Sequence, residues 1–458
     1  MPPTASTPPG RPRAGWLAAQ GRLPLAFMGL GLAWLAAGTA LLAFNPWLLA
    51  LPHTGPPVVA LTHAWVLGFF ATVAFGAVYQ LAPVALGTTL ASERRGWWHF
   101  WLHAIGVPGM VYSFWHWDLE WLGHFGLVVA VGIALFADNT WRTVRRSGKR
   151  NPVAWSLGLA AGWLLLTAVA GLVLAANRYW YFIPLSTLAL LRAHAHLGLI
   201  GFFVTLLQGV AFQLVPMFTL GEVRGWRPAA AGLGCTQAAL LGLVPSLAFE
   251  ASGWGCAFAL LLLSGFAVSG WGLVRALATR RKREIDPGVR SLLRGLATLG
   301  VATGAGVALL WPGSPWGSAP GGFNAVVYAI VVFLGVLLPC IAGMMCKIVP
   351  FLTWMRVYGP RVGRGPTPSA GSLGRPRLER WALALQSLAA IPLIAGAWIL
   401  SEPLLRAGAF ILAAGVLLFV VDMAGVFRHL WRPVEVSRPR AGFPVGVRPR
   451  SPISNFPS

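Results

Sequence analysis

The chain has 458 residues, of which 57% are hydrophobic and only 10% charged, and its mean hydropathy is +0.69. A soluble globular protein carries about 25% charged residues, so this composition excludes a soluble fold and predicts a polytopic membrane protein. The net charge of +23 fits basic loops on one side of a membrane. Without a folded basic domain, it does not indicate nucleic-acid binding.

Twelve apolar segments follow one another, each long enough to span a bilayer, which takes about 20 residues. They lie near 24–50, 55–86, 97–115, 119–140, 153–176, 183–219, 228–249, 253–278, 291–311, 322–353, 380–402 and 404–430. Every second connection is basic, as in SERRGW and RTVRRSGKR, and the others carry few charges. Basic loops stay in the cytoplasm. We therefore predict cytoplasmic termini, a bacterial-type inner (cytoplasmic) membrane and contact with membrane lipid.

An internal repeat divides these segments into three blocks of four. Counted from His63, Gly stands at +5 and +13, Gln at +17 and Pro at +20, and His196 has the same series. A degenerate copy starts at Ile330, with Lys347 in place of the Gln. Such a period predicts an all-α integral membrane protein of three pseudo-symmetric four-helix blocks. The predicted parts are a disordered basic tail (1–20), blocks 21–150, 151–285 and 286–432, and a second disordered basic tail (433–458).

Three histidines inside the repeat segments are the strongest candidates for chemistry. Ionisable side chains within a membrane are unfavourable and usually functional, and neutral imidazole is a common ligand of metals and heme iron. The alternative is a buried His that hydrogen-bonds to a neighbouring helix. His63 and His196 share one repeat position, and His194 lies two residues before His196. For this reason we favour ligation over a buried structural role. Residues two apart on a helix point about 200° apart, so His194 and His196 should face different neighbours.

Three motifs carry a resemblance to a known family. THAWVLGFFATVAFGAVYQLAPVALG resembles the second helix, and RAHAHLGLIGFFVTLLQGVAFQLVP the tenth helix, of subunit I of the heme-copper oxidase superfamily, which includes nitric oxide reductases. HFWLHAIG (99–106) resembles the start of its third helix. The NnrS-type heme membrane proteins are the nearer alternative. The resemblance implies twelve helices with cofactor ligands on helices two, six and ten, and heme b as the cofactor, one or two per chain.

The copper ligands of that family have no counterpart here, so copper is only weakly supported. The function implied is a heme-binding protein for electron transport, or for redox chemistry on nitric oxide or oxygen, without a full heme-copper centre. Oxidoreductase activity stays open. Two alternatives also stay open: a non-catalytic partner that handles heme or copper during assembly, and a transporter or channel with intramembrane histidines.

The resemblance also assigns the candidate residues to the pores between blocks. It implies that His63 and His194 face the pore between blocks one and two, where both would ligate one heme. His196 would face the next pore, opposite Tyr328, beside a second heme or a copper ion. The pairing of His63 with His196 stays open. Arg192, and also Arg178, are candidates for binding heme propionates, and a cytochrome or other redox partner is expected at the outer face.

Other clusters have simpler structural interpretations. His99 and His103 are four residues apart and share a helix face, but no third ligand is evident. Cys340, Met344, Met345 and Cys346 suit packing better than Cu(I) binding. The outer group of His53, His116, His124 and Asp118 is typical of interfacial residues, and His429 fits the end of the last helix. The loop 359–377, rich in Pro, Gly and Arg, is predicted to be disordered.

Overall fold

The computed structural model describes residues 21–314 and 323–434, which contain helices and no strands. Within these residues, eleven helices are long and apolar enough to cross a membrane, in agreement with a multi-pass all-α protein. A further helix, Glu93–His116, has similar length but is less apolar. In chain order the helices are α1 Arg22–Phe44, α2 Pro56–Leu86, α3 Glu93–His116, α4 Leu119–Ser147, α5 Pro152–Trp180, α6 Thr187–Thr219, α7 Arg227–Ala248, α8 Ser252–Ala278, α9 Pro287–Leu310, α10 Asn324–Val357, α11 Pro376–Ile399 and α12 Glu402–Arg428. The predicted tails lie outside the described residues, apart from 433 and 434.

The three repeat helices form the centre of the molecule. Within the most apolar windows of α2, α6 and α10, 72%, 78% and 61% of residues are buried, against at most 50% for the other candidate spans. Their aromatic side chains meet where the blocks join. The ring centroid of Phe70 lies 6.3 Å from that of Phe203 and 5.6 Å from that of Phe333. The repeat therefore marks an inner ring of helices, and the remaining helices surround it.

Each repeat helix contains a π-helical segment directly after its anchor residue. The segments are Ala64–Ala71, Leu197–Val204 and Val331–Leu337. A π turn disrupts the regular hydrogen-bond ladder of an α-helix, and a threonine nine residues after the anchor compensates in two repeats. Thr72 Oγ1 donates to the Leu67 carbonyl at 2.7 Å, and Thr205 Oγ1 to that of Ile200 at 3.0 Å. No feature of the hydrophobic pattern predicted these segments.

The shared glycines allow close packing within each block. A Cβ atom on Gly68 would lie 2.5 Å from the indole of Trp34, and one on Gly201 would lie 2.7 Å from Trp163. In both blocks, therefore, the glycine five residues after the anchor accommodates a tryptophan of the preceding helix. Close helix packing accounts for this part of the repeat.

The basic loops lie together at one end of the bundle, which we call the basic face. It comprises the loops 87–92, 148–151, 220–226, 279–286 and 358–375, and hydrogen bonds connect its parts. Lys149 Nζ donates to the Ala85 carbonyl, and the Arg281 N–H donates to the Leu220 carbonyl, each at 3.3 Å. The opposite end, with loops 45–55, 117–118, 181–186, 249–251 and 400–401, is called the neutral face.

The prediction that residues 359–377 are disordered is wrong. The connection contains the short turns Gly359–Arg361 and Ala370–Ser372. Trp354 Nε1 donates to the Pro368 carbonyl at 2.6 Å, and the side chain of Leu373 is buried. The composition suggested disorder because it is poor in apolar residues, but these few contacts with the bundle hold the segment in place.

Candidate functional site

A cavity of about 490 Å³ lies between blocks one and two, and we call it the main cavity. His63 of α2 and His194 of α6 both line it. Its volume falls within the range of about 300–1,000 Å³ usual for small-molecule and cofactor sites. The structure thus brings together one histidine from each of the two His-bearing repeat helices.

His63 is held by two contacts. Its Nδ1 lies 2.9 Å from the Val59 carbonyl, to which it donates as Nδ1–H, and its ring stacks on Phe114 at 4.4 Å between centroids. The donor role of Nδ1 leaves the lone pair on Nε2. Metal-binding histidines are commonly fixed in this way, with one ring nitrogen bonded to a carbonyl and the other free for the ligand.

His194 lies in a tight slot on α6. A Cβ atom on Gly171 of α5 would be 3.0 Å from Cε1 of the ring, and the backbone of Thr167 also interacts with the ring. Its Nδ1 is buried and has no hydrogen-bond partner among the described residues. An unpaired buried nitrogen is unfavourable unless a ligand or another polar group occupies the site.

The rest of the main cavity is apolar, apart from Thr167 beside His194 and the rim at the neutral face. Val66, Met110, Val129, Ile133, Leu164 and Phe203 are among its lining residues. Arg178, near the end of α5, lines the rim, and its guanidinium carbon lies 5.8 Å from the ring centroid of Trp117. An apolar slot with a cation at its rim suits a flat ligand that carries carboxylates at one edge.

Arg192 is not among the residues that line the main cavity. Its charge instead acts on His53, in the loop before α2. Burial of His53, and secondly the positive charge of Arg192, lower the pKa of that imidazole. Of the two arginines considered for propionate binding, the structure therefore brings only Arg178 to the cavity shared by His63 and His194.

His196 faces a different and much smaller space. Its ring lies nearly parallel to that of Tyr328, with 6.1 Å between centroids and 17° between planes. Both residues line a cavity of about 40 Å³ between blocks two and three. That volume holds a water-sized molecule, but it is less than a tenth of the main cavity and does not admit a second porphyrin. His63 and His196 line no common cavity among the three described.

A third cavity, of about 90 Å³, lies between blocks three and one. Ile330, His53 and Thr62 are among its lining residues. Each pair of consecutive blocks thus encloses a space beside a repeat helix, and of these three spaces in the described part of the chain, the one between blocks one and two reaches cofactor size.

The other sequence candidates lie apart from these cavities. His124 bonds to its own helix through the Glu120 carbonyl at 2.9 Å, and the His116 ring contacts Tyr112. The Cys340 Sγ donates weakly to the Leu292 carbonyl at 3.7 Å. Within residues 21–314 and 323–434, no group of three or more His, Cys, Asp or Glu side chains is placed to hold a metal ion.

Two buried carboxylates near the basic face were not among the candidate site residues. Glu379 and Asp422 are 5% and 1% exposed. A Cβ atom on Gly374 would lie 2.7 Å from Glu379 Oε1 and 3.8 Å from Asp422 Oδ2, so both carboxylates border one small space. The predicted span starts at 380, so the sequence left Glu379 outside the helix. In the structure α11 begins four residues earlier, at Pro376, and includes Glu379.

The chain matches no protein-family model and no curated protein.

Proposed function

We propose that this protein is a heme-binding integral membrane protein in which His63 and His194 hold one b-type heme in the main cavity. The observation that carries the proposal is that these two imidazoles, from equivalent helices of two repeats, line one apolar cavity of about 490 Å³. Neutral imidazole is a usual axial ligand of heme iron.

The side chains around the cavity fit this cofactor. His63 keeps the lone pair of Nε2 available because its Nδ1–H donates to Val59. His194 has a buried nitrogen without a partner. Arg178 at the rim offers a guanidinium to the propionates, since Arg is suited to carboxylates. The apolar lining would surround a bound heme with few polar groups.

We further propose that the protein works in electron transfer or in redox chemistry on nitric oxide or oxygen, as the resemblance to heme-copper oxidase and nitric oxide reductase subunit I implies. A bound heme supplies a one-electron redox centre. The protein's part is to fix the ligands and to set the burial of the site. The rim of the cavity opens toward the neutral face, which supports a cytochrome or another redox partner at that face.

Twelve spans with both termini in the cytoplasm, in a bacterial-type inner membrane, complete the proposal. The basic face supports this orientation, because basic loops are retained in the cytoplasm. The similar length of α3 supports its inclusion as the twelfth span.

The test is an absorption spectrum of the purified protein, oxidised and reduced. We expect a Soret band and the spectrum of a six-coordinate b-type heme, with heme lost from His63→Ala and from His194→Ala. His196→Ala is the matched control, because it removes an equally deep imidazole from the other cavity and should keep the heme.

A wild-type protein without a Soret band would overturn the proposal and favour a transporter. Loss of heme from His196→Ala alone would overturn the ligand assignment.

A further inference from the structure

A chain of buried polar side chains lies between the main cavity and the basic face. His99 and His103 of α3 are 0% and 1% exposed. His103 Nε2 lies 2.8 Å from Thr72 Oγ1 and 3.1 Å from the Leu67 carbonyl, and His99 Nδ1 lies 2.9 Å from the Tyr79 hydroxyl. The two imidazole centroids are 5.8 Å apart.

The hydrogen bonds fix which nitrogen of His103 carries its proton. The Thr72 hydroxyl gives its single proton to the Leu67 carbonyl, so in the contact between them His103 Nε2–H must donate to Thr72. The lone pair of the neutral ring is therefore on Nδ1. That nitrogen is buried and has no partner among the described residues. His103 can accept a proton on Nδ1 without giving up its existing hydrogen bonds.

His99 can share such a proton. Its Nε2 is also buried without a partner in the described part of the chain. The Tyr79 hydroxyl can either donate to Nδ1 or accept from it, so the ring keeps this bond in both protonation states. Two positive imidazoles so close together in an apolar site would repel strongly. The pair is therefore suited to hold one added proton.

The other two blocks show what packing alone requires at these positions. Eleven residues after the N-cap of the third helix, block one has His103, and blocks two and three have Gln237 and Gln386. Gln237 Nε2 donates to Thr205 Oγ1 at 3.1 Å, and Gln237 Oε1 accepts from Trp163 Nε1 at 2.6 Å. Gln237 thus makes the contact with the threonine and satisfies its own side chain, whereas in block three the equivalent repeat position is Pro339 and Gln386 Oε1 is buried without a partner among the described residues.

The same comparison holds for His99, the neighbour of His103, and for Tyr79, which is hydrogen-bonded to His99. Where block one has His99, blocks two and three have Leu233 and Ala382. Where it has Tyr79, they have Phe212 and Cys346. The block that provides His63 has imidazole and phenol groups at these three positions, and the other two blocks do not. A need for packing does not explain this difference.

We propose that the His99–His103 pair is a proton-binding site that takes up one proton from the basic face for each electron delivered to the main cavity. This inference rests on the proposed heme site. The electron comes from a one-electron donor, and the proton adds to Nδ1 of His103 or Nε2 of His99. Leu67, four residues after His63, links the pair to the main cavity. It lines the cavity, and its carbonyl accepts a hydrogen bond from His103. Charge added to a low-dielectric interior favours uptake of a compensating proton nearby.

The surroundings of the pair are otherwise apolar. Phe27 of α1, Phe75 of α2 and Phe136 of α4 pack against the two rings. Tyr79 is the titratable side chain that faces the pair from these helices. Toward the basic face, Asn139 interacts with Tyr79 and bonds both backbone groups of Ser92, and the Arg95–Asp138 ion pair lies beside them. These groups give a polar connection to the surface.

The test is a redox titration of the heme in the full-length purified protein at several pH values between about 5 and 8. One proton per electron lowers the midpoint potential by about 59 mV per pH unit, since a tenfold change in proton concentration converts to 59 mV for one electron. We expect the wild-type slope to approach this value over part of the range. His103→Gln, which introduces the side chain of blocks two and three, should flatten the slope and keep the heme spectrum.

Tyr79→Phe and His99→Leu are further variants copied from block two, and each should reduce the slope. Gln237→Leu is the matched control, since it removes the equivalent contact to Thr205 and should leave the slope unchanged. A pH-independent wild-type potential, or a wild-type slope in His103→Gln, would overturn the inference with the heme site intact. A wild-type protein without heme would overturn the proposed function, and this inference with it.

Discussion

Gly171 and His194 are in direct contact across the α5–α6 interface. A Cβ atom on residue 171 would lie 3.0 Å from Cε1 of the imidazole. The ring keeps its place at the main cavity because residue 171 has no side chain. A candidate ligand on one helix is thus positioned by a glycine on the preceding helix.

The first prediction follows from this contact. Gly171→Val should push the His194 ring from its slot and lower heme content about tenfold or more, as changes to groups that orient a ligand typically do. Heme per protein, measured from the Soret band, checks it. Gly162→Ala on the same helix is the control, because its Cβ would lie at an ordinary 3.5 Å from Trp141. Equal heme content in the two variants would contradict the placement of His194.

The second prediction distinguishes the roles of Arg178 and Arg192 in heme binding. Arg178→Ala should weaken heme binding about tenfold, or about 1.4 kcal/mol, because Arg178 lines the rim of the main cavity. Arg192→Ala should have little effect on heme and should raise the pKa of His53, since the positive charge of Arg192 lowers it. Heme titration and NMR of His53 are the measurements. The reverse order of heme affinities would show that Arg192 serves the propionates.

The third prediction concerns equivalent positions in blocks one and three. Asn139 accepts from the Ser92 N–H and donates to the Ser92 carbonyl, at 2.9 and 2.8 Å. Asp422 accepts from the Arg375 N–H at 3.0 Å, but its Oδ2 is buried and unpartnered among the described residues. Asp422→Asn supplies the missing donor and removes a buried charge next to Glu379. It should stabilise the protein by about 1 kcal/mol.

Asn139→Asp is the mirror variant and should destabilise by about 2 kcal/mol, because it loses the donor to Ser92 and buries a charge. Thermal unfolding of both variants in detergent measures the difference. Stabilisation by Asn139→Asp, or strong destabilisation by Asp422→Asn, would show that the two positions are not equivalent.

The fourth prediction uses pH. Asp286 lies 2.8 Å from both Lys282 Nζ and Lys347 Nζ. Burial alone would raise the pKa of this carboxyl, but its hydrogen bonds to the two lysines outweigh burial and hold the pKa below its ordinary value. The contribution to stability is therefore complete above the ordinary pKa of about 4 and is lost as the pH falls through the lower folded-state pKa.

Asp286→Asn should thus lower stability by about 1–2 kcal/mol at pH 7, with a difference that shrinks below about pH 4. Thermal midpoints of both proteins at neutral and acid pH provide the check. A difference that does not depend on pH would exclude the ion pairs as its source.

Much of the helical architecture was predictable because the bilayer constrains sequence strongly. The apolar lengths predicted most helix ends within a few residues. The repeat singled out α2, α6 and α10, but that these three helices form the centre was seen only in the structure. The sequence also predicted different neighbours for His194 and His196, because a two-residue offset on a helix reverses the direction of a side chain.

Other features depend on tertiary contacts with no local signal. The π segments follow ordinary apolar sequence, so periodicity could not separate them from α-helix. The order of residues 358–375 comes from isolated contacts such as Trp354 with Pro368. The network of His99, His103, Tyr79 and Thr72 joins two helices, and only the i, i+4 spacing of its histidines was visible in the sequence. The sizes of the three cavities likewise depend on packing between blocks.

The π segments make the repeat helices tolerant of length at one place. A π turn holds more residues than an α turn, so deletion of a single residue between 64 and 71 would let the helix return to regular α geometry while the parts on either side keep their faces. The same deletion in a regular α-helical stretch would rotate everything beyond it by about 100° around the axis. The π segment is therefore the one stretch of these helices that can lose a residue without changing which neighbour an imidazole meets.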